Sequence, residues 1–300
     1  MKPLATRLIG IAVVVVAATT CAWIMFHLLR PQLFSGQEDS LPRYLERAFL
    51  HFDFGRSQQG AQRPVADLIR EGLPADVSLL AGGLVFGVAA GVGGGILCAR
   101  RPRGALSRAV QAVAMVALCA PVYVVGLMAL LLFGADIGKL DLGVSIPLHY
   151  VDFDHLPTGW LGALIVPWIV VGLPLAGMCL RVMLGQMVEV DGEDYIRAAR
   201  AKGLSEWTVL RRHVAPVALG PTAMLASSAM PLLITNAVLA EQVFSVPGVF
   251  HDLTRSIGNS NTTLILGMTA VGALLIATTT LIFDLLLVWL DPRVRAREAS

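Results

Sequence analysis

The chain has 300 residues, of which 56% are hydrophobic and only 15% are charged, and its mean hydropathy is +0.71. A soluble domain of this length could not bury so much apolar surface, so the composition excludes a soluble protein and indicates a membrane protein. The net charge of +2 does not provide a nucleic-acid-binding face, and we predict no nucleic-acid partner.

Apolar runs of about 20 residues, the length a helix needs to cross a bilayer core, recur along the chain. Each run is expected to form a transmembrane helix, because lipid offers the backbone no hydrogen-bond partners. The first run is too long for a secretory signal and lacks a small-residue cleavage pattern, so it is predicted to be retained. The six predicted spans are residues 8–29, 77–98, 110–133, 160–180, 222–240 and 263–289.

Most Lys and Arg residues fall in alternate loops, the distribution that marks cytoplasmic segments. The chain is therefore predicted to be an all-α, multi-pass protein of the cell inner membrane, with six transmembrane helices and both termini in the cytoplasm. We divide it into the N-terminus with the first span (1–29), an outer loop with short helices (30–76) and a five-helix core (77–297). The core includes a cytoplasmic loop at 181–216.

The outer loop contains two stretches with helical patterning, 41–50 and 65–73. A pair of interfacial helices covering the outer end of the bundle is one interpretation of this pattern, and contact with an outer partner is the other.

Glycines recur at every fourth position of the second span, which predicts close packing against a neighbouring helix. They are Gly83, Gly87, Gly91 and Gly95. This run lacks the Lys-Ser/Thr pair of a phosphate-binding loop, and the chain has no HExxH, GxSxG or Walker A motif, so we predict no catalytic residue. The four cysteines lie in or beside spans without metal-site spacing, and we predict no metal site.

The cytoplasmic loop has strong helix signals of its own. Acidic residues precede Tyr195, basic residues follow it, Gly203 suits a left-handed C-terminal cap, and Ser205 can cap a second short helix. Ala198 and Ala199 leave one side of the first helix slim enough for a groove on another protein. Basic residues at the rim (Arg197, Arg200 and Lys202) would meet acidic groups of that partner. The alternative is a pair of helices lying on the membrane surface.

The same loop resembles the EAA loop of a known family, the integral-membrane permease subunits of binding-protein-dependent ABC importers, in the dipeptide/oligopeptide/nickel branch. The similarity runs from Tyr195-Ile-Arg-Ala-Ala-Arg-Ala-Lys-Gly-Leu-Ser205 through Val209-Leu-Arg-Arg-His213 to Pro216, with Arg197 in place of the usual acidic residue. Three further segments are similar to this branch: Asp53-Phe-Gly-Arg-Ser57 with Leu73-Pro-Ala75, Glu241-Gln-Val-Phe-Ser-Val-Pro-Gly248 and Asp284-Leu-Leu-Leu-Val-Trp-Leu-Asp-Pro-Arg293.

The resemblance implies the type I importer permease fold within a heteromeric complex. Its implied partners are a second, similar permease subunit, two cytoplasmic ATPase subunits and an extracytoplasmic solute-binding protein, besides the lipid bilayer. ATP and Mg²⁺ would bind the ATPase subunits, and this chain is expected to hold no cofactor. Peptides are the implied cargo, with nickel or another small solute as the alternative. The implied ATPase-coupling residues are Arg197, Ala198, Ala199, Arg200, Lys202, Gly203, Leu204, Ser205 and Pro216.

By the same resemblance, the turn after the fifth span lines the outer gate. Glu241, Phe244, Pro247 and Gly248 are therefore candidate contacts with the gate or the binding protein, and a simple interfacial charge at Glu241 is the alternative. Asp284, inside the sixth span, is predicted to pair with an Arg of the inner loop or of the partner permease rather than to touch cargo.

Two other protein classes remain to be weighed. A self-sufficient secondary transporter or channel would need charged residues near the middle of the membrane and often has internal repeats, and neither is evident in the sequence. An intramembrane enzyme would need a nucleophile–base pair or metal ligands within the spans.

Overall fold

Helices occupy all six predicted apolar runs. The computed structural model describes residues 4–29, 40–57, 63–134, 157–251, 256–257 and 261–290. Within these ranges the chain forms helices and no strands, with one isolated bridge between Arg56 and Pro64. A π-helical turn, Leu210–Val214, joins α8 to α9. The helices are α1 (Leu4–Leu29), α2 (Leu41–Leu50), α3 (Val65–Ala99), α4 (Ala105–Cys119), α5 (Val122–Phe133), α6 (Pro157–Asp191), α7 (Asp194–Ala201), α8 (Glu206–Val209), α9 (Ala215–Ser228), α10 (Met230–Phe244) and α11 (Thr262–Leu290).

Four of the described helices are long and apolar enough to cross a membrane, and the number rises to six when each of two bent helix pairs counts as one span. The four single helices are α1, α3, α6 and α11. The all-helical, multi-pass architecture expected from the sequence is therefore present. The count of six spans and the cytoplasmic position of both termini stay predictions.

The third and fifth predicted spans are broken helices, and the expectation of one helix for each was wrong. α4 and α5 meet at 110°, because Pro121 disfavours helical backbone at the preceding Ala120, which is extended at φ −73° and ψ 128°. α9 and α10 meet at 53° around Ala229, two residues before Pro231. A proline has no N–H to donate to the preceding turn, so it weakens the helix at that point.

The described residues fall into two compact units. The first takes in those within Met1–Val77 and Pro247–Val288, and the second takes in those within Ser78–Val246 and the end of α11. In the second unit α6 is the central helix, since α4, α5, α9 and α10 all contact it. Its most apolar window is 67% buried, whereas that of α1 is 11% buried.

The glycine stripe of α3 faces α6. A Cβ atom built on Gly83, Gly87, Gly91 or Gly95 would lie 2.5–2.8 Å from the nearest atom of α6, closer than real side chains pack. Gly172 of α6 lies opposite, and its added Cβ would lie 2.1 Å from the Gly83 carbonyl oxygen. The two helices therefore approach backbone to backbone, which small residues permit.

In the first unit, the segment 53–57 forms a compact turn that supports the start of α11. Gly55 adopts φ +86°, and its N–H donates to Asp53 Oδ1 at 2.9 Å. Ser57 Oγ accepts a hydrogen bond from Asn261 Nδ2 at 2.8 Å, while Asn261 Oδ1 accepts from the N–H of Leu264 at 3.3 Å. Asn261 thereby caps the first turn of α11.

Candidate functional site

The predicted cytoplasmic loop is an ordered pair of short helices that follows α6. α7 ends at Ala201, and Gly203 then adopts the predicted left-handed conformation with φ +81°. Ser205 is the N-cap of α8, as predicted, because its hydroxyl accepts a hydrogen bond from the N–H of Thr208 at 3.4 Å. We call residues 192–216 the docking segment.

The inner side of the docking segment packs onto the end of α6. Ile196, Val209 and Val214 have no exposed surface and form one apolar cluster with Met183 and Met187. A helix pair lying on a membrane would bury its apolar face in lipid. Here that face is already covered within the protein, which argues against the membrane-surface interpretation.

The outer side of the docking segment carries most of the residues predicted to meet a partner. Two of the predicted residues do not face outward, however. Ala199 is only 8% exposed and packs in the apolar cluster, so the slim outer side consists of Ala198 without Ala199. Arg200 is partly buried, with 31% of its side chain exposed. The outward-facing residues are Arg197, Ala198, Lys202, Gly203, Leu204, Ser205 and Pro216.

Arg200 binds carboxylates of its own chain, which contradicts its expected place at the rim for acidic groups of a partner. Its Nε lies 2.9 Å from Glu206 Oε1, and its Nη2 lies 2.5 Å from Asp191 Oδ1. The hydrogen bond to Glu206, with a further contribution from Asp191, raises the pKa of Arg200 above its usual value. The guanidinium therefore joins the end of α6, the end of α7 and the start of α8, and we call this group the arginine bracket.

Arg197 remains available on the surface. It forms an (i, i+3) pair with Asp194 at 3.2 Å, but 71% of its side chain is exposed. A pair this exposed contributes little to stability, so a partner can displace it at little cost.

A cleft of about 380 Å³ lies beside the arginine bracket. Arg100, from the connection between α3 and α4, stacks over the Trp207 ring with its Cζ 4.3 Å from the ring centroid. Trp207 is 42% exposed, whereas Leu210 and Val214 are buried. Trp207 and Leu210 both line the cleft.

Pro216 does not interrupt the helix in which it lies. The chain is helical without a break from Glu206 to Ser228. At the π-helical turn the N–H of Ala215 donates to the carbonyl of Leu210, one residue further back than in an α-helix. This wider turn precedes Pro216, which cannot donate to the preceding turn itself.

The turn after α10 contains the other predicted site. Ser245 adopts a left-handed conformation with φ +50°, and the N–H of Val246 donates to the carbonyl of Glu241. Glu241 has no exposed surface, Phe244 is buried, and Pro247 is exposed beside the half-buried Gly248. The interpretation of Glu241 as an exposed interfacial charge is therefore wrong, and direct contact with a separate protein is not open to it in this conformation. A role in the outer gate stays a prediction.

Asp284 lies on α11, but its side chain falls outside the described residues, so its predicted ion pair stays a prediction. Within the described ranges, no group of three or more His, Cys, Asp and Glu side chains is placed to hold a metal ion.

Sequence reasoning missed the partners of Arg200 and Trp207. Asp191 and Glu206 belong to the helices on either side of α7, and Arg100 comes from the connection between α3 and α4. One signal was present, because Gly192 and Gly203 allow turns that bring Asp191 and Glu206 back toward the same point. The pairing itself depends on how α7 packs.

These features together define an all-helical, multi-pass membrane protein whose ordered inter-helix segment is braced on one side and exposed on the other. Residues 91–296 match the family described as binding-protein-dependent transport system inner membrane component. The chain belongs to this family, and the resemblance seen in the sequence is confirmed.

Relatives within this family carry peptide-transport names. The chain is 32% identical over 246 residues to a putative peptide transport system permease protein of Brucella abortus (strain 2308), covering 82% of this chain and 76% of the relative. It is 31% identical over 268 residues to a probable D,D-dipeptide transport system permease protein of Escherichia coli (strain K12), covering 84% and 78%. It is 27% identical over 253 residues to a dipeptide transport system permease protein of Bacillus subtilis (strain 168), again covering 84% and 78%.

Proposed function

We propose that the chain is one of two permease subunits of an ATP-driven importer for di- or oligopeptides. The peptide cargo is inferred from the names of its relatives. The complex would contain a second permease of the same kind, two cytoplasmic ATPase subunits and an extracytoplasmic binding protein. This chain would supply part of the translocation pathway, while ATP hydrolysis with Mg²⁺ would take place on the ATPase subunits.

The construction of the docking segment carries this proposal. A surface that transmits force must be stiff on the side of the bundle and free on the side of its partner. The buried cluster beneath Ile196 and the arginine bracket provide the stiff side, and the exposed stretch from Lys202 to Ser205 provides the free side.

In the proposed mechanism, ATP binding closes the ATPase dimer and carries the docking segment with it. Because α6 runs without interruption into the arginine bracket, displacement of α7 moves the central helix of the second unit. The spans would then tilt and open the pathway outward, and hydrolysis would return them.

Reconstitution tests the proposal directly. The complex is purified through a tag on this chain, identified by mass spectrometry, and assayed in liposomes for ATP-dependent uptake with a dipeptide, an oligopeptide and a nickel chelate as separate cargoes. We expect two ATPase chains to co-purify and peptide uptake to require ATP. Uptake by this chain alone would support a secondary transporter instead, and uptake of the nickel chelate without peptide would move the cargo assignment to the alternative class.

A further inference from the structure

Gly72 and Asp76 lie one helical turn apart on the buried side of α3, in the first unit. Both face the backbone of the chain just after α10, around Gly248 and Val249, which belongs to the same unit. Neither residue was assigned a role from the sequence.

Gly72 provides space for this contact. A Cβ atom at this position would lie 2.5 Å from the Val249 nitrogen, 2.7 Å from the Gly248 carbonyl carbon and 2.9 Å from the Val249 Cα. All three are backbone atoms, which cannot rotate away as the end of a side chain can. The turn therefore lies directly on the helix surface.

Asp76 provides the acceptor for the same backbone. Its carboxylate is 2% exposed, and its Oδ2 accepts a hydrogen bond from the Val249 N–H at 3.1 Å, across 173 positions of sequence. Val249 is itself only 5% exposed, so its N–H is shielded from water and needs a partner within the protein.

We propose that Asp76 is a positioning residue that, together with Gly72, holds the turn at residues 247–250 on α3. The Asp76 carboxylate fixes the position of the turn along α3, and Gly72 allows the backbone of the turn to lie close to the helix. The consequence for transport rests on the proposed function, because the turn after the fifth span is predicted to line the outer gate. The contact itself is independent of that function.

Hydrogen–deuterium exchange of the Val249 amide, measured by mass spectrometry on the purified complex in lipid nanodiscs, tests the contact. Replacing Asp76 by Ala removes the acceptor, and we expect exchange in the peptide covering 246–251 to accelerate by at least about tenfold. Asp76→Asn keeps an acceptor oxygen and should restore slow exchange. Asp67→Ala removes an exposed carboxylate from the first turn of the same helix and serves as the matched control. Unchanged exchange in Asp76→Ala would overturn the proposal.

A second pair of variants tests the close approach of the turn to Gly72. Gly72→Ala should also accelerate exchange in this peptide while leaving Asp76 intact. Gly93→Ala on the same helix should not, because its added Cβ meets no atom within 4 Å. Equal behaviour of the two variants would contradict a role for the close approach.

ATP-dependent peptide uptake by the same complexes tests the consequence. We expect Asp76→Ala and Gly72→Ala to lower the maximal rate several-fold, with near-normal rates in Asp76→Asn and both controls. Normal uptake in Asp76→Ala alongside fast exchange would limit Asp76 to a structural contact and overturn its role in transport. If the unmodified complex takes up no peptide, the proposed function fails, while the exchange measurements still decide the contact.

Discussion

The glycines of α3 and the glycine of the docking segment look alike in the sequence, yet they meet different physical requirements. Gly87 lies in ordinary helical backbone, and its added Cβ would lie 2.9 Å from the Gly172 carbonyl oxygen. Gly203 has nothing within 4 Å of its added Cβ, but its φ of +81° is a conformation that L side chains rarely adopt. At the α3 glycines a side chain is excluded by lack of space, whereas at Gly203 it is disfavoured by the backbone conformation. Substitutions should therefore affect the two regions differently.

The largest effect on stability is expected at the α3 glycines that face α6. Gly87→Leu would force α3 away from α6, and overpacking of this kind costs about 1–3 kcal/mol or more. Because α6 is the central helix of its unit, we expect loss of the monodisperse protein in size-exclusion chromatography and a clear fall in Tm.

Gly93→Leu is the matched control for this prediction, since it lies on the same helix and faces open space. If both variants remained equally stable, the close approach of α3 and α6 would not be needed for folding.

Breaking the arginine bracket should lower transport more than it lowers stability. Arg200→Met keeps most of the side-chain length but leaves Asp191 and Glu206 without their shared cation. We expect a stability loss of about 1 kcal/mol or less, because the pairs are partly exposed. Coupled uptake should fall several-fold, since α7 would then be held to α6 by the apolar cluster alone.

Arg63→Met is the control here, because it breaks an exposed ion pair, with Glu71, that lies outside the docking segment. The ratio of uptake to ATP hydrolysis is the informative measurement. An unaltered ratio in Arg200→Met would show that the bracket does not transmit movement.

The stability cost of substituting Gly203 should depend on how readily the new residue adopts the left-handed conformation. Gly203→Ala is expected to cost about 1–2 kcal/mol for the left-handed conformation, although no atom obstructs it. Gly203→Asn should cost less, because Asn visits this region more readily. Thermal denaturation of the two variants gives the comparison. Equal losses of stability would indicate that a contact, rather than the backbone conformation, requires glycine at position 203.

A bulky residue at Gly203 adds an obstacle on the outer surface. We expect Gly203→Trp to insert into the membrane normally but to lose coupled uptake, because the indole would obstruct docking of the ATPase subunit. Membrane fractionation measures insertion, and the uptake assay measures coupled transport. Normal uptake would contradict the proposed docking surface.

The smallest effect is expected at a glycine with neither requirement. Gly185 lies within α6, is exposed, and has no atom within 4 Å of an added Cβ. Gly185→Ala should raise stability by up to about 1 kcal/mol, through the higher helix propensity of alanine. A loss of stability would point to a close approach at this position that is absent from the packing seen here.

The sequence alone determined the features that depend on composition and on neighbouring residues. The apolar runs, the cap at Ser205 and the left-handed turn at Gly203 all follow from interactions within a few positions of the chain. The spacing of glycines in α3 likewise predicted a packing stripe, because helical geometry alone places every fourth residue on one side. The similarity that led to the family likewise lies in short segments, each continuous in the sequence.

Only the tertiary structure decided what depends on distant parts of the chain. The inward turn of Ala199, the engagement of Arg200 with Asp191 and Glu206, and the burial of Glu241 all depend on which surface a helix meets. The hydrogen bond from Val249 to Asp76 joins residues 173 positions apart. No local pattern encodes such contacts, because they form only when the packing of whole helices brings the two groups together.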